Sequence, residues 1–544
     1  MSEPAPAPTH GDARPARWAA AAEVFLIFAA FFLQGAWPVP DVNEPYYLGK
    51  AIHFWNPGWV RGDFFFESQD AHAVFYLTFG WVSLWLSAEA MAWTGRVVTW
   101  LLLAWAWRRL SWAVAPRRWL AVLSGALFAC LVERCHMSGE WIIGGVEAKG
   151  FSYVLVLLGL EALLRERWNR AWVLLGAASL MHVLVGGWAA LAAGFAWVCL
   201  GHRRPPLRTM WPGLAAAALL VLPALVLAMR LDQGAGPEVV RRAHEIYVYY
   251  RLPHHLLLLE RKPEFFVRFG LLIVAWAVLS WGAGQQPGQR LLRAFVTASL
   301  AMAVIGAALS LASIVRPALV AGVLRYYWFR LADVAVPMGA ALAAVALVDR
   351  LLARRPTLGK LGLAAAALVA ALHVGDYALT RSKPAIPRAD AKVDRLGGYA
   401  SWREACCWVD TSGAIPPNAR FLTPIDCSTF KWRARRPEVV NRKEIPQDAA
   451  AIVQWWDRLR DIHGMAGEDA TKRYWRGSLS ELGAERLEEL GRKYAADYVL
   501  TEAPGRPLPA TPLRDRIPAP RLPLKVVYQN EGYVIYELRG ARRP

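Results

Sequence analysis

The feature that most constrains this chain is a succession of apolar stretches, each near the roughly 20 residues a helix needs to cross a bilayer, separated by short arginine-rich loops. They fall at 18–36, 89–107, 119–134, 150–164, 171–185, 187–201, 211–229, 267–284, 292–314, 331–349 and 360–379. With 56% hydrophobic and only 19% charged residues, too little polar surface exists for a single water-soluble globule. The pattern predicts an α-helical polytopic membrane protein with about eleven transmembrane helices. The surplus of 62 Lys and Arg over 43 Asp and Glu then reports orientation rather than nucleic-acid binding, because basic loops stay cytoplasmic.

A cytoplasmic N-terminal tail, residues 1–17 with Arg14 and Arg17, makes every short inner loop basic: Arg108, Arg109, Arg117 and Arg118 first, and Arg350, Arg354, Arg355 and Lys360 last. The transmembrane domain is expected over 18–380, in an inner or plasma membrane, with 38–88 as its first outer loop and the C-terminus outside. Within that loop, His72 to Leu86 is short and aromatic and is expected to lie along the interface, since a span there would move Arg108 and Arg109 outside. From 385 to 544 no apolar run reaches spanning length. Helical stretches (Gln447 to Ile462, Leu479 to Tyr494) and β-like runs (Asp497 to Thr501, Leu524 to Gln529, Gly532 to Leu538) predict an extracytoplasmic α/β domain. Its cysteines suit either one disulfide, Cys427 with Cys406 or Cys407, or reduced buried thiols.

The candidate chemistry lies in the outer loops. Pro40-Asp41-Val42-Asn43-Glu44-Pro45-Tyr46-Tyr47 puts carboxylates just after the first span, where they can take a proton from an arriving hydroxyl. The plain alternative is a solvated acidic loop. The second outer loop carries Glu133, Glu140, Glu147 and Lys149, the last two also readable as a surface ion pair at a helix start. Cations outside break the charge rule: Arg230, Arg241, Arg242, Arg251, Arg261 and Lys262 in the 230–264 loop, and Arg325 and Arg330 around four aromatics. They suit a phosphate, or else headgroups and acids such as Glu238 and Glu245. His182, inside a span, is a candidate by position. No ATPase-type phosphate loop, nucleophile elbow or HExxH motif occurs, which removes support for ATP-driven transport and hydrolysis.

The order of these blocks resembles the GT-C superfamily of integral-membrane glycosyltransferases, in the protein O-mannosyltransferase and aminoarabinose-transferase branch. The shared pattern is an acidic first loop with a following Tyr, further acids at Asp63 and Asp70, an interfacial helix, and Arg96 in a span ending in Arg108-Arg109. It continues in the paired short spans of Trp168 to Cys199 and in Arg325-Tyr326-Tyr327-Trp328-Phe329-Arg330. The resemblance implies transfer of a sugar from a polyprenyl-phosphate-linked donor to an acceptor hydroxyl of a glycan, lipid or protein on the outer face, with inversion. It implies Asp41 or Glu44 as catalytic base, and Arg325, Arg330, His182, Tyr47, Glu147 and Lys149 at the donor phosphate or substrate. No cofactor is demanded, and a divalent metal is compatible. Where the branch carries Asp-Glu, this chain has Asn43-Glu44, with the Asp displaced to Asp41. Trp455-Trp456-Asp457 is similar to a motif of oligosaccharyltransferase catalytic subunits, but Arg458-Leu459-Arg460 follows it and it reads as a core helix with Ile452, Leu459 and Ile462. Two other classes fit the same residues: a carrier or flippase for a lipid-linked sugar, and a structural membrane protein whose exported domain binds a partner.

Overall fold

The computed structural model describes residues 17–383, 385–464, 475–507 and 518–538. Apart from Arg17, the expected N-terminal tail lies outside the described residues. Helix α1 (Arg17–Gly35) leads to two short helices of the first outer loop, α2 (Glu44–Trp55) and α3 (Ala73–Phe79). Then come α4 (Ala88–Val114), α5 (Leu120–Arg134), α6 (Ala148–Leu164), α7 (Trp168–Met181), α8 (Val183–Cys199) and α9 (Leu207–Arg230). After the short α10 (Pro237–Glu245) and α11 (Pro253–Leu256), the bundle continues with α12 (Pro263–Ala283), α13 (Pro287–Ala312), the short α14 (Pro317–Leu324), α15 (Arg330–Arg354) and α16 (Pro356–Arg381).

A helix occupies each of the eleven apolar stretches. Among the described residues, six (α1, α9, α12, α13, α15 and α16) are long and apolar enough to cross a membrane by length and composition. Helix α4 carries Arg96, Arg108 and Arg109, and α5 to α8 have 17 residues or fewer. The chain is a mostly helical membrane protein. Its outer helices turn large apolar side chains such as Leu219 and Trp281 outward, which hydrocarbon favours and water would not. Helices α6 and α15 are buried along nearly their whole length and form the centre. Between α3 and α4 a 3-10 turn, Gly80–Leu84, exposes Trp81 and Leu84 beside Leu77 and Trp85.

The C-terminal domain contains α17 (Ala391–Leu396), α18 (Tyr399–Thr411), β1 (Phe421–Leu422), α19 (Phe430–Ala434), α20 (Ala449–His463), α21 (Gly483–Tyr494), β2 (Tyr498–Glu502), β3 (Lys525–Gln529) and β4 (Tyr533–Glu537). The sheet order is β1-β2-β4-β3, with β1 parallel to β2 and the other pairs antiparallel. Strand β4 alternates: Tyr533 and Ile535 join Trp402, Cys406 and Phe430 on one face, while Val534 and Tyr536 join Trp455, Trp456 and Leu487 on the other. Trp455 and Trp456 are therefore core residues. All six cysteines are free thiols, so the disulfide alternative does not hold; Cys406 and Cys427 sit in the same apolar cluster.

This domain is fused to the membrane bundle. Ala243 and Ile246 complete its core, and Tyr250 stacks on Trp456 at 5.0 Å. Lys431 is buried against Asp63 at 2.9 Å, Glu438 at 3.7 Å and Glu444. Three carboxylates around one ammonium cannot all ionise cheaply, and burial pushes Glu444 up to about 7 and Glu438 well above the usual carboxylate range. Between the unfolded glutamate value and pH 7 the folded state therefore holds the extra proton, so stability falls as pH rises through that window. The melting temperature in detergent should be higher at pH 5 than at pH 8, and Glu444→Gln should flatten this difference.

Candidate active site

Asn43-Glu44 opens α2 and packs against the loop that precedes α6. Glu44 is fully buried, and its four acceptor positions are taken. Arg96 Nε and Nη2 donate to its two oxygens at 2.6 Å each, Val146 N donates at 3.0 Å and Asp41 N at 2.7 Å. Asp41 accepts from Val42 N at 2.8 Å and Gly145 N at 3.0 Å, with Arg388 at 3.9 Å. Both carboxylates hold the segment before α2 and the loop before α6 together. A Cβ at Gly145 would approach Asp41 Cβ to 2.8 Å, so glycine is what lets this loop lie so close.

A second set of groups forms a connected polar chain. Asn43 Nδ2 donates to Glu147 Oε1 at 2.7 Å, Lys149 lies 3.4 Å from Glu147 and 3.7 Å from Glu140, and Arg330 Nε donates to Glu140 at 3.1 Å. Arg330 is 3.4 Å from His182 and lies over the Tyr327 ring. His182 packs on His72 at 5.2 Å, and His72 on Tyr47 at 5.1 Å. Burial raises the Glu147 carboxyl above its usual range and, with the Arg330 charge, pushes His72 down to about 3. Asn43, Glu147 and His182 each stand at the N-cap of a helix (α2, α6 and α8), and Arg330 opens α15. Four helix N-termini thus gather around this chain, and their partial positive charge favours an anion there.

Of the residues singled out in the sequence, Tyr47, Glu147, Lys149, His182 and Arg330 come together. Arg325 does not. It caps the end of α14 and pairs with Asp232 at 3.2 Å and with His244, which burial and Arg325 itself push down to about 4. Tyr327, at φ 56°, turns the chain between the two arginines.

Three further residues belong to this neighbourhood. His72 bridges Tyr47 and His182. Asp333, in the first turn of α15, accepts from Met137 N, Ser138 N, Ser138 Oγ and Glu140 N at 2.7–3.2 Å and so fixes the loop carrying Glu140. Its signal in the sequence was an acid inside an apolar helix, three residues from Arg330. Lys443, from the C-terminal domain, interacts electrostatically with Glu147, Lys149 and Arg251. Nothing in the sequence tied it to the membrane part. Among the described residues no three His, Cys, Asp or Glu side chains gather as ligands for a metal ion, and Glu140 and Glu147 are both engaged by cations.

A domain of unknown function (DUF6798) matches residues 400–462, from α18 through α20. No curated protein matches the sequence. Among solved structures, the oligosaccharyltransferase of Archaeoglobus fulgidus, tethered to an acceptor peptide containing the NVT sequon, aligns with a TM-score of 0.50 at 13% identity, covering 94% of this chain and 76% of that one. The chain shares its overall fold with that oligosaccharyltransferase. ArnT from Cupriavidus metallidurans, bound to undecaprenyl phosphate, aligns with a TM-score of 0.42 at 13% identity, over 97% of this chain and 99% of that one.

Proposed function

We propose that this chain is a membrane glycosyltransferase that moves a sugar from a polyprenyl-phosphate-linked donor to an acceptor hydroxyl at the extracytoplasmic membrane surface. The observation that carries this reading is the unbroken chain Arg330–Glu140–Lys149–Glu147–Asn43 at four helix N-termini, which puts cations suited to an anion beside a carboxylate suited to a base. Glu147 is the base. It takes the proton of the acceptor hydroxyl, whose oxygen attacks the anomeric carbon while the carbon–phosphate oxygen bond breaks, and the configuration inverts. Arg330, Lys149 and His182 face the departing phosphate. Glu44, whose acceptor positions are filled by two backbone amides and Arg96, and Asp41, which accepts from two backbone amides, brace the loops instead of taking the proton. Asn43 replaces the family's Asp without loss of chemistry, because its amide orients Glu147 across the pocket.

The test is release of labelled sugar from a synthetic polyprenyl-phosphate donor in membranes that hold the protein and its host's acceptors. Arg330→Gln should lower kcat/KM by about 10²–10³-fold, the scale for losing one donor to a developing oxyanion. Arg325→Gln, which breaks a half-exposed pair, should change it less than about threefold. Equal losses in both would overturn the assignment, and no release by the wild type would favour a carrier.

A further inference from the structure

We propose that the C-terminal domain supplies part of the phosphate site: Lys443, with Arg251 beside it, binds the second negative charge that a phosphate acquires when its glycosyl bond breaks. This rests on the phosphate reading of the pocket and extends it to a domain outside the membrane bundle. The geometry begins with the loop around Lys443, which is clamped on both sides. Glu444 is buried against Lys431, Tyr46 Oη donates to Ile445 O at 3.4 Å, Trp455 Nε1 donates to Asn441 O at 2.8 Å, and Arg251 Nη2 donates to the Lys443 carbonyl at 3.1 Å. The Lys443 ammonium forms no ion pair among the described residues, although it feels the charges of Glu147, Lys149 and Arg251. Arg251 Nε is buried without a hydrogen-bond partner.

Charge balance gives the ligand its class. The cluster brings together the cations Lys149 and Arg330 and the carboxylates Glu140 and Glu147, both already engaged by Lys149 or Arg330, while Lys443 feels Arg251, Lys149 and Lys392 as well as Glu147. Cations outnumber carboxylates here, which is costly unless an anion arrives. A sugar-linked phosphodiester carries one negative charge. When the acceptor oxygen attacks, both electrons of the old carbon–oxygen bond stay on the phosphate oxygen, the monoester approaches two negative charges, and the acceptor's proton goes to Glu147. Lys443 therefore matches the product phosphate better than the donor. Its own burial, with Arg251 close by, pushes it down to about 7, so the ligand-free pocket also relieves itself by releasing that proton.

The experiment measures binding of a polyprenyl phosphate, the neutral polyprenol and inorganic phosphate to the full-length protein in nanodiscs. Lys443→Gln should weaken polyprenyl phosphate binding about 10- to 100-fold, the range for a charge-assisted hydrogen bond. Lys443→Arg should stay within about threefold, and polyprenol binding should not move. A loss seen with inorganic phosphate alone would identify free phosphate rather than a lipid headgroup as the ligand and overturn the lipid assignment. If Lys443→Gln binds like the wild type while Arg330→Gln does not, the proposal fails and the phosphate reading survives; if neither binds less, both fail. The unliganded Lys443→Gln protein should melt no lower than the wild type, because it loses a cation close to other cations. A drop of several degrees would make Lys443 a structural residue and overturn its role.

Discussion

Glu147→Gln is expected to lower sugar transfer by about 10²–10⁴-fold, the contribution of a positioned general base. The loss should appear in kcat with donor KM nearly unchanged. Glutamine keeps the size of the side chain and an oxygen for the Asn43 amide, now 2.7 Å away, so the pocket keeps its shape. What disappears is the lone pair that accepts the proton. Because the base works deprotonated and burial holds Glu147 above the ordinary carboxylate range, wild-type kcat/KM should climb with pH through a limb displaced upward from that range. The variant should lack this limb. Glu147→Asp, which withdraws the carboxylate by one methylene, should fall between the two, since about 1 Å of misplacement is costly in a positioned reaction. A Glu147→Gln enzyme that works normally beside an inactive Asp41→Asn would return the base to the first loop.

Arg96→Met is expected to destabilise the protein by about 3–5 kcal/mol, read from unfolding in detergent. Arg96 and Glu44 are both fully buried, and the guanidinium meets the carboxylate through two parallel bonds while also donating to Trp37 O. Without the cation, Glu44 is left as a buried charge with backbone amides only. Breaking such a pair costs far more than replacing it with groups of similar shape, so Arg96→Met combined with Glu44→Gln should recover most of the loss. The double variant also tests the chemistry. If it folds and transfers sugar, Glu44 is a brace; if it folds and is inactive, Glu44 belongs to the reaction.

Both experiments turn on a distinction the loop sequence does not carry. Asp41, Glu44 and Glu147 are all acids in outer loops, and one-dimensional spacing ranks the first two higher because they sit beside the first span. Glu44 is engaged by Arg96, 52 residues away, and by the amide of Val146, 102 residues away. Glu147 is set up by Asn43, at a separation of 104 residues. Asn43 was nevertheless a readable sign: an amide where the resembling family has an acid implies that a carboxylate faces it from elsewhere. Arg325 and Arg330 looked equivalent because only four aromatics separate them, yet one ends a helix and the other begins the next.

What the sequence determined by itself is the architecture. Hydropathy sets the membrane helices because a hydrocarbon solvent leaves a backbone no other partner than its own helix, and alternation in the tail sets a sheet with two covered faces. What only the tertiary structure decided is which charged groups are spent and which are available. That depends on how many acceptors and cations each one meets, and those partners arrive from distant helices and, in Lys443, from another domain.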